Sequence, residues 1–238
     1  MKRLLGAVYI LVFCSCSIQN DTGAVASLPV VVPQETTPVA VMEDFIRHRD
    51  TVVIDGRQYI GLCDSNDRFS LLDQQQDTVF ASAYLSPMFS FVDFDQDGYK
   101  DILFDYHTNV PSIQSLVLYD KKTRTFRLVA DFDAYPAAQL LKNKRFYYSY
   151  HRSGCADMNW DSDLFYIKDF KTYRIGTISG RECGDQEPED GIYIYTVKDD
   201  KETLLETLPI ATIKQYKEYK WGFIEQYWNI HFRSFIDP

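Results

Sequence analysis

Short segments rich in aromatic and β-branched residues recur along the chain, and they predict β-strands. Residues 192–197 show the pattern most clearly, because aliphatic and aromatic residues partly alternate there with a period of two. Residues 51–54 and 58–60 flank the pair Asp55-Gly56, which favours the positive φ angles of a tight turn and predicts a β-hairpin. A second hairpin is predicted around residues 120–124. Further strand candidates are residues 89–93, 102–104, 116–119, 125–129, 146–150 and 163–167.

A helical spacing occurs only near the C-terminus. Apolar side chains at intervals of three and four residues are predicted to share one helical face there: Trp221, Ile224, Trp228, Phe232 and Phe235. The fold class is therefore expected to be mainly β, with antiparallel sheets and a C-terminal amphipathic helix. We expect one β-rich domain over residues 41–238, beginning with a short helix or a first strand at 41–46.

The N-terminus has the features of an export signal. Lys2 and Arg3 form a basic segment, and residues 4–13 are apolar but too few to span a bilayer as a helix. Ser15 directly before Cys16 resembles the lipobox of bacterial lipoproteins, although Phe13 and Cys14 stand where Leu and a small residue are usual. We therefore predict a signal peptide over residues 1–15 and lipidation of Cys16, with an ordinary secretory signal as the alternative.

Residues 16–40 are predicted to be a tether between the anchor and the domain. The segment is rich in Thr, Val, Ala and Ser, and Pro29, Pro33 and Pro38 favour extended conformations. The expected location is the bacterial cell envelope, facing the periplasm or the cell exterior, with membrane contact through the lipid anchor only.

Three cysteines follow the predicted signal: Cys63, Cys155 and Cys183. In an oxidising compartment two of them are expected to form a disulfide. Cys155 and Cys183 lie in turn-rich contexts, so we favour that pair and a buried free thiol at Cys63. The two other pairings stay open at this point.

The net charge of −9 and the pI near 4.9 restrict the classes of partner. A negative field repels nucleic-acid phosphates, so nucleic-acid binding is not expected. The same field suits cations and basic proteins.

An acidic loop at residues 93–101 carries the most specific pattern in the chain. Its alternating carboxylates can surround one hard cation, and Gly98 permits the sharp turn that they need. The expected ligands are the carboxylates of Asp93, Asp95, Asp97 and Asp101 and the main-chain carbonyl of Tyr99. Calcium suits this oxygen set better than magnesium, which retains waters, or zinc, which prefers His and Cys. The alternative is an acidic turn without an ion, which repulsion between the carboxylates disfavours.

The loop departs from an EF-hand, because the twelfth position is Phe104 instead of Glu and the flanks are predicted strands. It instead resembles the β-hairpin calcium loops of VCBS and FG-GAP proteins. The pattern D-x-D-x-D-G-x-x-D-[IL] of that group matches residues 93–102 in full. The resemblance implies a single calcium site within a β-hairpin.

Residues 118–126 follow the pattern Leu-Tyr-Asp-x-Lys-Thr-x-x-Phe. With the acidic loop before it, this segment is similar to the XAC-type periplasmic proteins over about residues 80–235. In that group, VCBS-like proteins serve as inhibitors or immunity partners of lysozyme-like effectors. The resemblance implies a peptidoglycan hydrolase as one candidate partner.

Other acidic segments are less specific. Residues 157–163 place oxygens at alternate positions but lack a glycine, so a solvated acidic turn is favoured over a second cation site. The acidic run 185–190 is expected to be a surface loop. Most aromatic side chains are expected in the core, although some could stack on sugar rings.

No catalytic motif is present, since the histidines are scattered and the sequence has no H-E-x-x-H, G-x-S-x-G or phosphate-binding loop. The sequence therefore predicts a lipid-anchored, extracytoplasmic calcium-binding module without enzymatic activity. Its partner is expected to be an unknown protein or glycan of the cell envelope. An inhibitor or immunity protein against a lysozyme-like hydrolase is the first alternative. A carbohydrate-active hydrolase is the second, because acidic residues are abundant.

Overall fold

The computed structural model describes residues 46–184 and 188–236. In this part of the chain the strands form three antiparallel sheets. The N-terminal sheet has the order β1-β2-β3-β4, and hairpins connect its neighbours. Its strands are β1 (Ile46–Ile54), β2 (Arg57–Asp64), β3 (Phe69–Leu72) and β4 (Thr78–Ser82). The predicted Asp55-Gly56 turn joins β1 to β2, with φ angles of 51° and 72°.

The middle sheet repeats this arrangement in the order β5-β6-β7-β8. Its strands are β5 (Met88–Val92), β6 (Asp101–Tyr106), β7 (Ile113–Asp120) and β8 (Thr125–Leu128). Along β6 the side chains alternate between the two faces, so Phe104 packs on the N-terminal sheet while Leu103 packs on the other side. Both faces of the middle sheet are therefore covered.

The C-terminal sheet has seven strands, in the order β15-β14-β13-β12-β10-β9, with β11 also paired to β12. The strands are β9 (Gln139–Leu140), β10 (Tyr147–Tyr148), β11 (His151–Arg152), β12 (Trp160–Lys168), β13 (Lys171–Arg181), β14 (Gly191–Lys198) and β15 (Lys201–Leu208). Helix α1 (Lys220–His231) follows and ends in a 3-10 turn at Phe232–Phe235. The predicted fold class is confirmed.

Three hydrophobic cores lie between the three sheets and helix α1. The first core lies between the N-terminal and middle sheets, where the Phe69 and Phe104 rings meet edge to face at 4.9 Å. The second core lies between the middle and C-terminal sheets and includes Leu116 and Phe165. The third core lies between the C-terminal sheet and α1, where the Trp228 indole N–H donates to Ser162 Oγ at 2.8 Å. Burial of large aromatic side chains in each core contributes favourably to the free energy of folding.

The C-terminal segment buries most of the predicted face, including Ile224, Trp228 and Phe235, but not Trp221. Phe223, Ile224, Tyr227 and Trp228 are the buried residues of α1, whereas Trp221 is 46% exposed. Trp221 lies in the first turn, beside the sheet, where it packs on the Tyr150 ring at 3.8 Å. The expectation that Trp221 shares the buried face is therefore wrong.

A disulfide joins Cys155 to Cys183, with 6.1 Å between their Cα atoms, so the favoured pairing is confirmed. It connects the segment before β12 to the segment after β13. Cys63 is buried in the first core and has no disulfide partner among the described residues. The predicted lipidation site Cys16, the signal, the tether and residues 41–45 lie outside the described part of the chain.

In the described part of the chain, no helix is both long enough and apolar enough to cross a membrane.

Candidate metal centre

The acidic loop connects β5 to β6 at one end of the middle sheet. The two strands pair antiparallel up to Val92 and Asp101, so the loop is the turn of a β-hairpin. The flanking elements are therefore strands, as the sequence predicted, and the EF-hand arrangement of two helices does not apply here.

Three carboxylates of the loop converge on one point. One oxygen each from Asp93, Asp95 and Asp101 can be chosen so that all three lie within 4.8 Å of one another. Oxygens on opposite sides of a calcium ion are about 4.6 to 5.2 Å apart, since each lies about 2.3 to 2.6 Å from the ion. The spacing and the all-oxygen chemistry of this group, which we call the carboxylate cluster, therefore fit calcium.

Backbone N–H groups hold the three carboxylates in place. The Gly98 N–H donates to Asp93 Oδ2 at 3.2 Å, which closes the loop, and the Asp97 N–H donates to Asp95 Oδ1 at 3.1 Å. Asp101 accepts from the Phe94 N–H and the Tyr119 N–H, each at 3.0 Å. The cluster is thus oriented by its own loop and by strand β7.

The tight path of the loop depends on two residues with left-handed backbone conformations. Gln96 has φ of 56° and Gly98 has φ of 95°. A Cβ built at Gly98 would meet no atom within 4 Å, so the backbone conformation is what favours glycine here, and space is not limiting.

The electrostatics of the cluster disfavour three bare anions. Asp101 is only 2% exposed, and burial is the main effect that raises its pKa to about 7, although the Tyr119 N–H opposes the rise. Burial and the neighbouring Asp97 carboxylate also raise the pKa of Asp95. A bound cation would offset both the cost of burying these carboxylates and the repulsion between them.

Asp97 lies outside the carboxylate cluster, contrary to the expected convergence of all four side chains. Its Oδ2 lies 3.2 Å from Lys121 Nζ, and its Oδ1 accepts from the Tyr99 N–H at 3.0 Å. Lys121 belongs to the turn between β7 and β8, so no signal within the loop itself could have indicated this ion pair. For Asp97 to bind a metal directly, its carboxylate must therefore turn away from Lys121.

Tyr99 connects the loop to the first core. Its ring stacks on Tyr119, with 5.5 Å between the ring centroids, and Lys121 Nζ lies 5.9 Å from the Tyr99 ring centroid. Tyr119 also donates its backbone N–H to Asp101. Contribution of the Tyr99 carbonyl to a metal stays a prediction.

The second acidic segment, 157–163, is neither a solvated turn nor a cluster of converging carboxylates. Asp157 pairs with Lys220 at 3.0 Å, and Asp161 pairs with Arg181 at 2.8 Å. Asp163 is buried and accepts from Thr177 Oγ1 at 2.6 Å. Residues distant in the chain supply each partner, so the expectation of a solvated turn is wrong.

Six aromatic residues of the C-terminal half were candidates for stacking on sugar rings: Tyr147, Tyr148, Tyr150, Trp160, Trp221 and Trp228. Tyr150 is partly buried and Trp221 is 46% exposed. Tyr147, Tyr148, Trp160 and Trp228 are buried in the second and third cores, as expected of core residues.

Residues 185–187 of the other acidic run lie outside the described part of the chain.

Neither a protein-family model nor a curated protein sequence matches the chain. One solved structure that matches the chain is described as that of a Xanthomonas type IV secretion system related protein. The two chains are 14% identical, the TM-score is 0.40, and the match covers 68% of this chain and 87% of the other.

Proposed function

We propose that the loop at residues 93–101 binds one calcium ion and that the protein acts outside the cytoplasm as a lipid-anchored binding module without enzymatic activity. The observation that carries the calcium proposal is the carboxylate cluster, in which Asp93, Asp95 and Asp101 bring oxygens within 4.8 Å of one another. The resemblance of the same loop to VCBS and FG-GAP calcium loops supports it. The anchor and the location rest on the N-terminal sequence alone.

Calcium would act mainly on the stability of the β5–β6 hairpin. Asp93 and Asp101 lie at opposite ends of the loop, and Asp101 also accepts the backbone N–H of Tyr119 in β7. An ion that holds both carboxylates would connect the loop to the middle sheet. Since the ion binds the folded chain and not the unfolded one, it stabilises the fold by mass action.

Thermal unfolding with and without calcium tests this proposal. Saturation to about 100 times the Kd stabilises a protein by about 2.7 kcal/mol. For a chain of this size that corresponds to a rise in Tm of about 5 to 10 °C. Asp95→Asn is expected to abolish the rise, because it removes a charged ligand and changes little in volume.

Asp64→Asn is the matched control. Asp64 also accepts backbone N–H groups within a turn, those of Asn66 and Arg68, but it lies outside the carboxylate cluster. This variant is expected to lower the Tm of the free protein and to keep the full calcium-dependent rise. An unchanged melting curve of the parent protein in calcium, or a full rise in Asp95→Asn, would refute the calcium site.

A second candidate function is inhibition of a lysozyme-like peptidoglycan hydrolase. The similarity of residues 118–126 to XAC-type periplasmic proteins supports it, and the acidic net charge of −9 suits a basic enzyme. Turbidity assays of cell-wall lysis, with purified protein added to a panel of muramidases, test this candidate. Absence of inhibition across the panel would remove it and leave the calcium site unaffected.

A further inference from the structure

A polar pocket of about 300 Å³ lies beside the turns of the N-terminal and middle sheets. Its principal lining residues are Arg57, Tyr59, Gln74, Gln75, Arg124 and Phe126. Arg57 begins β2 directly after the Asp55-Gly56 turn. Arg124 ends the β7–β8 turn, where its N–H donates to the Asp120 carbonyl at 2.6 Å. Two hairpin turns therefore present the two guanidinium groups to one concave surface.

These two arginines have no ion-pair partner in the described chain. Within residues 46–184 and 188–236, no carboxylate oxygen lies within the 4.0 Å ion-pair distance of either guanidinium. Asp73 also lines the pocket, but its Oδ1 accepts the backbone N–H groups of Gln75 and Asp77 in the β3–β4 turn. By contrast, Arg47, on the neighbouring strand β1, pairs with Asp67 at 2.7 Å. The donors of Arg57 and Arg124 are thus left for a ligand.

A buried hydroxyl without a partner lies next to this pocket. Tyr119 is 4% exposed, and its hydroxyl has no hydrogen-bond partner among the described residues. Its ring packs on Phe126, which lines the pocket, with 5.1 Å between the ring centroids. Burial and the neighbouring Tyr59 raise the pKa of Tyr119, while the charges of Arg124 and Arg57 oppose the rise. Burying a hydroxyl without a partner is unfavourable, which points to an acceptor supplied from outside the chain.

We propose that this pocket binds a small molecule that carries a carboxylate group. The guanidiniums of Arg57 and Arg124 bind the carboxylate, since arginine matches its planar geometry. Tyr119 lies behind Phe126, and a small shift of the Phe126 ring on binding lets its buried hydroxyl donate to the ligand. The amides of Gln74 and Gln75 hydrogen-bond to hydroxyl or amide groups beside that carboxylate. A volume of about 300 Å³ admits a ligand of the size of one sugar or a dipeptide. An acidic sugar and the C-terminus of a short peptide both offer this chemistry.

Titration by NMR of the ¹⁵N-labelled protein distinguishes these two sources. The probes are glucuronic acid with neutral glucose as its counterpart, and N-acetyl-alanyl-alanine with its C-terminal amide. One of the two carboxylates is expected to bind and to shift the resonances of the β1–β2 and β7–β8 turns. Its neutral counterpart is expected to bind at least about tenfold more weakly, because it lacks the charge-assisted hydrogen bonds.

Single substitutions then assign the contacts. Arg57→Gln and Arg124→Gln are each expected to weaken binding about tenfold, whereas Arg49→Gln, on an exposed part of β1, is expected to leave it unchanged. Tyr119→Phe is expected to weaken binding several-fold without lowering the Tm, since the hydroxyl has no partner in the free protein. That pair of results separates a ligand contact from a structural role.

Two results would overturn the proposal. One is the absence of saturable binding of both carboxylates up to about 10 mM, where even weak sites of this kind fill. The other is binding that keeps its full affinity in both arginine variants, because the carboxylate would then be held elsewhere.

Discussion

At the scale of single residues, the ion pair between Asp97 and Lys121 places a positive and a negative side chain next to the carboxylate cluster. The Lys121 ammonium lies 3.2 Å from Asp97 Oδ2 and adds positive charge where a cation is proposed to bind. Lys121→Gln is expected to raise the calcium affinity about two- to fivefold, because it frees Asp97 and removes a competing cation. Competition with a fluorescent calcium chelator measures this change.

Lys122→Gln is the control for that experiment, because Lys122 is the next residue in the same exposed turn and has no ion pair in the described chain. It is expected to change the calcium affinity less than Lys121→Gln does. Equal gains from the two variants would mean that general charge, and not the contact with Asp97, determines the affinity.

A second prediction at this scale concerns Gly180 in β13, whose Cα faces the buried Trp160 indole. A Cβ at this position would lie 2.1 Å from Trp160 Cε2, and Trp160 is 1% exposed. Gly180→Ala is therefore expected to lower the free energy of unfolding by about 3 kcal/mol, as overpacking does in a dense core. Urea denaturation measures the loss.

Gly191→Ala serves as the comparison, because Gly191 lies in the neighbouring strand and its Cβ would come no closer than 3.3 Å to another atom. A loss as large as that of Gly180→Ala would contradict the explanation by the Trp160 contact. Glycine then would be needed in these strands for another reason.

The sequence predicted the residues of the candidate site that lie within the loop, but not those that come from β7 and the turn after it. Asp93, Asp95 and Asp101 lie within one short loop, so their spacing alone indicated that the carboxylates could converge. Lys121 and the Tyr119 N–H come from β7 and the turn after it, and only the pairing of β7 with β6 brings them to the loop. No pattern within the loop contains that information.

At the scale of elements, the C-terminal helix separates two tryptophans that the sequence assigned to one face. Trp228 is 0% exposed and donates to Ser162, whereas Trp221 is 46% exposed. Trp228→Ala is expected to cost about 3 to 5 kcal/mol, because it opens a cavity and leaves the buried Ser162 without its donor. Trp221→Ala is expected to lower the free energy of unfolding by about 1 kcal/mol or less, since it removes mainly the tilted ring contact with Tyr150.

Chemical denaturation of the two variants measures both values on the same scale. Similar losses would contradict the assignment of the buried face to Phe223, Ile224, Tyr227 and Trp228. A residual helix signal in circular dichroism would show whether the loss of Trp228 detaches α1 or unfolds the third core with it.

The sequence did not predict several strands, among them β13 and β15, because their residues do not show the alternation of buried apolar and exposed polar side chains. In β15 (Lys201–Leu208) every side chain up to Thr207 is exposed, so no alternation of apolar and polar residues develops. In β13 (Lys171–Arg181), Gly176 and Gly180 occupy positions that Phe235 and Trp160 cover from outside the strand. Their partners are distant in the chain, and the glycines themselves lower the local preference for a strand. By contrast, β14 pairs with a strand on each side and buries its own Ile192, Ile194 and Val197, and it was predicted.

At the scale of the whole molecule, the described sheets are stacked so that the middle sheet contributes to two cores. The turns of β1–β2 and β3–β4 border the polar pocket together with the β7–β8 turn. The β5–β6 loop, with the carboxylate cluster, lies at the same end of the middle sheet as the β7–β8 turn, because both connections follow strands of the same direction. The two proposed sites are therefore neighbours.

Tyr119 connects these two sites through one residue. Its N–H donates to Asp101 in the cluster, its ring stacks on Tyr99 from the loop, and the same ring packs on Phe126, which lines the pocket. An ion that orders the loop would also fix the Tyr99 ring against Tyr119. Calcium is therefore expected to strengthen carboxylate binding in the pocket, and by linkage the carboxylate must strengthen calcium binding by the same factor.

The expected coupling is about fivefold or more, the lower end of typical allosteric effects. Titrating the carboxylate with calcium and with chelator, and calcium with and without the carboxylate, completes the thermodynamic cycle. Tyr99→Leu is expected to bring the coupling factor close to one while each ligand alone still binds, because it removes the stacked ring and no charged group. A coupling that survives in Tyr99→Leu would instead arise from the charge of the ion, acting across the short distance to the pocket. A coupling factor of one in the parent protein would contradict the proposed link, because Tyr119 would then be held equally well with and without calcium.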